Sequence, residues 1–323
     1  MLRIGNLELE FPCLLAPMAG VSDLPFRLIT RSFDAPLAFT EMIDANSLNH
    51  NDKRTIRMIS SIPEDKPLGI QLLANDEKQI AESLEIINEY TFDIVDFNAA
   101  CPAAKVVKKG KGAALLREPA RLRKILKTMV QHSKAPVTVK IRTGWDGNSV
   151  NAQEVSLYAE DAGISAIFIH GRTKAQGYSG TVDYATIKSV KDAVTIPVVA
   201  SGDNTSIPLI KMMLDQTGCD GVAIARGALG NPWIFRQAKR FFKEGTFCET
   251  PDIEERTDVM KTHLQHSIEY WGEKRGVASF RKFFVWYTRG LRGIKPIRDM
   301  AFRTNNADEL FNAIELLKSA CPF

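Results

Sequence analysis

From Cys13 onward, short apolar runs and longer amphipathic stretches take turns along the chain. The apolar runs fall at residues 13–18, 36–41, 68–73, 94–98, 137–141, 166–170, 197–201 and 220–225. Between them, residues 77–89, 119–131, 150–162 and 184–191 repeat their apolar positions at the three-to-four spacing of a helix. Such alternation predicts parallel strands joined by crossover helices, because parallel neighbours cannot be linked by a tight hairpin. Eight runs are the number that closes a barrel. Ahead of the first run, residues 3–11 alternate polar and apolar positions. An open doubly wound sheet would carry Gly-x-Gly-x-x-Gly after its first strand, and Pro17-Met18-Ala19-Gly20 stands there instead. Beyond about Arg240 only helical periodicity remains, through 252–270, 278–289 and 308–319. The expectation is a (β/α)8 TIM barrel over residues 1–240, followed by a small all-helical C-terminal domain over 241–323.

Composition narrows the class without changing that outline. With 45% hydrophobic and 25% charged residues, the chain can bury a large core and is not read as disordered. No run reaches the ~18 apolar residues of a membrane helix, and the N-terminus lacks the apolar block of a secretory signal. A cytoplasmic protein is expected. Cys13, Cys101, Cys219, Cys248 and Cys321 contain no Cys-x-x-Cys pair, which points to neither a disulfide framework nor a zinc site, and no metal is expected. Charge is informative through its placement. Lys274, Arg275, Arg281, Lys282, Arg289, Arg292, Lys295, Arg298 and Arg303 face the single anion Asp299, a local net charge of +8 in a chain that totals +4. A polyanionic partner suits that segment.

Barrel enzymes place their chemistry at the C-terminal ends of strands. Here those ends carry Gln71, Asn98 with Cys101, Lys140 with Arg142, His170 with Arg172, Ser201-Gly202-Asp203, and Ala225-Arg226. The last two sets follow strands seven and eight, where backbone N–H groups often form a phosphate site, and Arg226 could add a charged fork. A simple turn and helix cap would account for Ser201-Gly202-Asp203-Asn204 equally well. Strand alternation sends Lys140 to the face opposite Val139 and Ile141, toward the barrel mouth. A buried ammonium needs an anion, either a bound ring or phosphate or a barrel carboxylate such as Asp96. His170 suits a donor toward a ligand, although a lone histidine is often structural. Cys101 precedes Pro102, which favours extended backbone at the cysteine. A free thiol is largely protonated at neutral pH and can act as an acid, unless nearby cations make it a thiolate nucleophile.

These pieces occur in an order that resembles the tRNA-dihydrouridine synthase family over essentially the whole chain. The matching stretches are 16–27 (Ala-Pro-Met-Ala-Gly-Val-Ser-Asp-Leu-Pro-Phe-Arg), 98–102 (Asn-Ala-Ala-Cys-Pro), 140–144 (Lys-Ile-Arg-Thr-Gly), 169–173 (Ile-His-Gly-Arg-Thr), 201–203 (Ser-Gly-Asp) and 231–235 (Asn-Pro-Trp-Ile-Phe). The run is most similar to the bacterial B-type branch. The resemblance implies FMN as cofactor, NADPH (or NADH) as reductant and tRNA as partner, with no obligatory protein partner. It implies that Pro17, Met18 and Ala19 line the flavin, that Gln71 contacts its ring, that Lys140 lies by the N1/O2 edge, and that His170 supports ring and substrate. Backbone at Ser201, Gly202, Asp203, Ala225 and Arg226 would hold the phosphate. Asn98, with Arg142 and Arg172, would bind the substrate. Cys101 would be the general acid, protonating uracil C5 after hydride reaches C6. Three positions depart from the family pattern: Ala100 and Ala225 replace glycines, and Ser201 replaces an asparagine.

A uracil inside folded RNA must be turned outward to reach a barrel mouth, and the flanking backbone must be gripped. Candidates are the segment 274–303, with Phe280, Phe283, Phe284, Trp286 and Tyr287 interleaved, and the loop 105–111 with Lys105, Lys108, Lys109 and Lys111. Aromatics at this spacing favour a helix core over base-stacking platforms. Two rival functions remain open: an FMN barrel enzyme acting on a free pyrimidine such as dihydroorotate, and an RNA-binding module on an inactive barrel.

Overall fold

A computed structural model describes residues 1–247 and 250–320, so Cys248 and Cys321 lie outside the described residues. The chain divides into two compact units. One comprises Met1–Asp23 with Pro36–Arg226, and the other Leu24–Ala35 with Gly227–Phe323.

The first unit opens with an antiparallel hairpin, β1 (Leu2–Ile4) and β2 (Leu7–Leu9). Eight strands follow: β3 (Cys13–Leu15), β4 (Ala38–Asp44), β5 (Leu68–Leu73), β6 (Ile94–Asn98), β7 (Val137–Arg142), β8 (Ala166–His170), β9 (Val198–Ser201) and β10 (Gly221–Ile224). All pair in parallel, in the order β3-β10-β9-β8-β7-β6-β5-β4. The Leu15 N–H donates to the Leu37 carbonyl at 2.9 Å, joining the two ends of that order into a barrel. The expected barrel is therefore present, one strand for each apolar run. Helices Glu77–Ile87, Pro119–His132, Ala152–Asp161, Tyr184–Ala193 and Ile207–Thr217 cover it. The strands read as continuous apolar runs because both faces are covered; every residue of β5 and β6 is buried. β3 stops at Leu15, short of the expected Met18, because the chain turns there: Val21 and Ser22 both donate to the Met18 carbonyl at 3.0 Å.

Period-two alternation sorts the barrel interior into two layers. The lower layer is apolar. Leu14, Leu37, Phe39, Ile94, Ala166, Phe168, Val199 and Ala223 pack together with Leu2, Ile4 and Leu9 of the hairpin, which plugs the base. Gly69 belongs to this layer by size: a Cβ there would lie 2.3 Å from the Phe39 ring, which packs edge-on against Phe168 at 5.4 Å. One step further along the same inward faces the residues turn polar, giving Gln71, Asp96, Thr138, Lys140 and Ser201. The fold thus fills its barrel with hydrocarbon below and leaves hydrogen-bonding groups at the C-terminal mouth.

The second unit is helical, with helices Leu24–Ser32, Trp233–Glu244, Ile253–Trp271, Glu273–Tyr287, Lys295–Arg303 and Ala307–Ala320. Its centre is an aromatic cluster: the His263 ring lies 4.3 Å from Phe283 and 5.4 Å from Phe280, and Phe26 stacks on Phe283 at 5.5 Å. Phe280, Phe283, Phe284 and Tyr287 are buried, whereas Trp286 is half-buried, so four of the five interleaved aromatics serve the helix core. Among the described residues, no helix is long and apolar enough to cross a membrane.

Candidate active site

The register of the barrel brings the expected residues to one mouth. Across β5 to β9, Gln71 pairs with Asp96, Asp96 with Thr138, Asn98 with Lys140, Arg142 with His170, and His170 with Ser201. Lys140 Nζ sits 3.3 Å from Ser201 Oγ, whose own hydroxyl donates to the Ile169 carbonyl at 3.1 Å. No ion pair joins Lys140 to Asp96 among the described residues; Asp96 instead accepts from Gln71 Nε2 and Thr138 Oγ1, both at 2.7 Å. Lys140 and Asp96 nonetheless feel each other. Burial lowers the ammonium pKa and raises the carboxyl pKa, and each charge partly opposes the shift of the other.

His170 stands in a field of cations. Burial, then Lys140, Arg142, Arg172 and Arg226, push its pKa down to about 2, so the imidazole is neutral and can donate from only one nitrogen. Four cations around one neutral ring make the mouth receptive to an anion.

The loops after β9 and β10 are shaped for one. Gly202 has φ +131°, and a Cβ there would meet Val182 at 2.8 Å and His170 at 3.4 Å, so only glycine leaves this surface open. Asp203 follows in the left-handed region at φ 54°. Among the described residues, the N–H groups of Gly202, Asp203 and Ala225 reach no protein acceptor, which leaves them as donors for a bound oxyanion. Asp203 is gripped by two arginines: Arg172 reaches both oxygens, at 3.2 and 2.5 Å, and Arg226 reaches Oδ1 at 2.6 Å. The Arg172 guanidinium chiefly holds the Asp203 carboxyl below the usual range. Neither Ala100 nor Ala225 has positive φ, so these departures from glycine introduce no backbone strain.

Cys101 is half-buried at the same mouth. Its N–H and that of Ala100 donate to Asn98 Oδ1 at 2.8 and 3.0 Å, while Asn98 Nδ2 donates to Gln71 Oε1 at 2.8 Å. The side chains of Asn98 and Gln71 are therefore engaged in protein hydrogen bonds. Arg142 is also committed: Nε donates to the Ala100 carbonyl at 2.7 Å, and Nη1 to the carbonyls of Thr173 and Gly177 at 3.0 and 2.8 Å. Arg172 adds bonds to Ser179 and Gly180 at 3.0 and 2.7 Å. Both arginines fasten the segment 173–180 after β8. Pro17 and Met18 are half-buried and Ala19 is exposed in the turn after β3, where Met18 N donates to Ser22 Oγ at 3.0 Å.

Two aromatic residues join the mouth without a signal from strand-end reading. Tyr178 is 62% exposed, and the Arg142 and Arg226 guanidinium carbons lie 5.5 and 5.6 Å from its ring centre. Trp145 is flanked by Arg117 and Lys174, each 4.3 Å from its ring centre. Both sit on loops, several residues past a strand end; the cue for Tyr178 is a lone aromatic between Gly177 and Gly180.

The candidate RNA-gripping cations differ in availability. Lys105, Lys108 and Lys109 are exposed, but Lys111 is buried and ion-paired to Asp44 at 3.0 Å. In the helical unit Arg289, Arg292, Lys295 and Arg303 are exposed. Arg298 is half-buried with Nη2 on Thr288, and Arg281 reaches the Thr304 carbonyl at 2.6 Å.

Known proteins place this site in a family. Residues 14–321 match the family model described as dihydrouridine synthase (Dus). A probable tRNA-dihydrouridine synthase of Rickettsia bellii is 39% identical over 90% of this chain and 90% of its own length. The tRNA-dihydrouridine synthase B of Pasteurella multocida is 38% identical over 97% and 91%. Among solved structures, the old yellow enzyme homologue of Zymomonas mobilis superposes with a TM-score of 0.53 at 11% identity, covering 79% of this chain and 94% of that one. Histamine dehydrogenase from a Rhizobium species gives 0.56 at 13%, over 82% and 50%. The structural likeness shows the (β/α)8 fold, and the sequence matches show more: the chain belongs to the dihydrouridine synthase family.

Proposed function

We propose that this protein reduces particular uridines in tRNA to 5,6-dihydrouridine, with FMN as its bound cofactor and NADPH (or NADH) as reductant. The observation that carries the reading is the meeting, at one barrel mouth, of donor-lined loops, a cation-rich floor and a thiol. The free N–H groups of Gly202, Asp203 and Ala225, with Arg226 beside them, fit a monophosphate tail. Lys140 and His170 fit the polar edge of a flavin ring, and Pro17, Met18, Ala19 and Gln71 would complete its surroundings.

FMN held by these loops would supply a hydride for C6 of the uracil. The remaining work falls to side chains. As C6 is reduced, negative charge develops on C5 and the neighbouring carbonyl oxygen. Cys101 donates its Sγ proton to C5, which ends the enolate and leaves the saturated ring. The Lys140 ammonium offsets negative charge at the floor of the mouth. Arg142 and Arg172 hold the β8 loop over the mouth, so their part in substrate binding is through the surface they order as well as through charge. A base held there must be out of its stack, and Lys105, Lys108 and Lys109, with exposed cations of the helical unit, are the groups to grip the flanking phosphates. The barrel unit, 1–23 with 36–226, would thus carry the chemistry and the helical unit, 24–35 with 227–323, the hold on tRNA, in the cytoplasm.

Incubating the FMN-loaded protein and NADPH with unmodified tRNA, and separately with free uridine, tests the reading. Dihydrouridine is expected in the tRNA alone. Reduction of the free base with no reaction on tRNA would favour a pyrimidine oxidoreductase, and tRNA binding by a protein that takes up no flavin would favour a binding module.

A further inference from the structure

A buried line of hydrogen bonds runs from the barrel interior to the backbone of Cys101. Thr138 Oγ1 donates to Asp96 Oδ1 and Gln71 Nε2 to Asp96 Oδ2, both at 2.7 Å. Asn98 Nδ2 donates to Gln71 Oε1 at 2.8 Å, and Asn98 Oδ1 accepts the N–H groups of Ala100 and Cys101. Water cannot readily substitute along it: Thr138, Asp96, Gln71 and Asn98 are 0%, 1%, 1% and 6% exposed.

We propose that Asp96 is a positioning residue for Cys101, acting through Gln71 and Asn98. The inference rests on the reading of Cys101 as proton donor. The reason lies in the symmetry of an amide. Rotating a Gln or Asn side chain by half a turn exchanges donor and acceptor at almost no steric cost, so shape alone does not orient Gln71 or Asn98. Only the two ends of the line are unambiguous. An aspartate carboxylate can only accept, and backbone N–H groups can only donate. With an acceptor fixed at Asp96, Gln71 must turn Nε2 toward it and Oε1 toward Asn98. Asn98 must then present Nδ2 to Gln71 and Oδ1 to the two N–H groups. Removing the acceptor at residue 96 removes one of the two constraints, and with it the preference that pins the turn carrying Cys101. The turn needs pinning because a proton donor displaced by about 1 Å can lose on the order of a hundredfold in rate.

The same geometry separates this role from a purely electrostatic one. Asp96 also attracts Lys140. Asp96→Asn abolishes that attraction yet keeps an oxygen that can accept from Gln71, with its amide free to donate to Thr138 Oγ1. Asp96→Leu keeps the branched outline of the side chain and removes both functions.

The test measures amide hydrogen exchange at Ala100 and Cys101, with and without FMN, alongside kcat and KM for tRNA. Asp96→Leu should exchange those amides about tenfold faster or more, and lower kcat about tenfold with KM for tRNA little changed. Asp96→Asn should stay within about twofold of the parent in exchange. Should Asp96→Leu not fold, Asp96→Val, which is smaller and suited to a strand, removes the same acceptor and is expected to speed the same amides alike. Unchanged exchange in Asp96→Leu or Asp96→Val overturns the proposal. So does an Asp96→Asn protein as fast-exchanging as Asp96→Leu, which would assign Asp96 to Lys140 instead. Exchange reads the line of hydrogen bonds without turnover, so a protein with the expected exchange pattern but no dihydrouridine would refute the enzymatic reading alone.

Discussion

Lys140 shows how one side chain can be costly for a fold and useful for a site. Its ammonium is pulled toward neutrality by burial, and only Asp96 pulls the other way, from a distance and with both oxygens engaged elsewhere. A bound anion beside Nζ would restore what desolvation removes. Replacing Lys140 by methionine keeps the stem and deletes the charge. A charge-assisted hydrogen bond is worth about 1.5–3 kcal/mol, so the apoprotein should bind FMN roughly ten- to a hundredfold more weakly in a fluorescence titration. Equal affinity would remove Lys140 from the flavin site. The position of Lys140 was legible because strand alternation fixes which way it points. The roles of Asn98 and Arg142 were less so, because a side chain's neighbours from other strands decide whether it faces a ligand or its own backbone. Asn98 spends its acceptor on Ala100 and Cys101, and Arg142 spends two nitrogens on carbonyls up to 42 residues away in sequence.

At the scale of elements, apolar runs found all eight strands because parallel strands covered on both faces admit little else. The helices Leu24–Ser32 and Lys295–Arg303 were not singled out. The first is short and adjoins the glycine-marked turn after β3, and the second buries only Ala301, leaving no apolar stripe to see. Two predictions belong here. Gly69→Ala would drive a methyl group into the Phe39 ring, and overpacking of this kind costs about 1–3 kcal/mol. Thermal unfolding should show the loss, and adding Phe39→Leu should recover part of it; additive losses would refute the steric account. In the helical unit, burial, aided by His266 and Lys282, lowers the His263 pKa to about 3. The folded form stays neutral down to that pH, whereas the unfolded chain takes up a proton near pH 6.5. This single group therefore subtracts about 1.4 kcal/mol of stability per pH unit as pH falls from about 6.5 toward 3. His263→Gln retains a polar partner for the Tyr287 hydroxyl, which lies 3.2 Å from His263 Nδ1, and should flatten the acid limb of stability measured by denaturant unfolding.

For the molecule as a whole, the basic segment recognised in the sequence is divided by the fold into different kinds of cation. Arg298 and Arg281 bond to backbone carbonyls of their own unit, while Arg289, Lys295 and Arg303 are exposed. Charge counting alone could not separate them, since the distinction depends on which helix face is covered. Replacing Arg289, Lys295 and Arg303 together by glutamine should weaken tRNA binding and reduce the slope of log affinity against log salt by up to about 3, roughly one per lost phosphate contact. Flavin content should not change. An unaltered salt slope would move the RNA-binding surface elsewhere. The most direct measurement of the central claim is a map of dihydrouridine in tRNA from cells lacking this protein, repeated after restoring either the parent or Cys101→Ala. Dihydrouridine should vanish from a definite set of positions, return with the parent, and stay about a hundredfold or more reduced in rate of formation with Cys101→Ala. An unchanged map in the deleted strain, or full restoration by Cys101→Ala, would contradict the account.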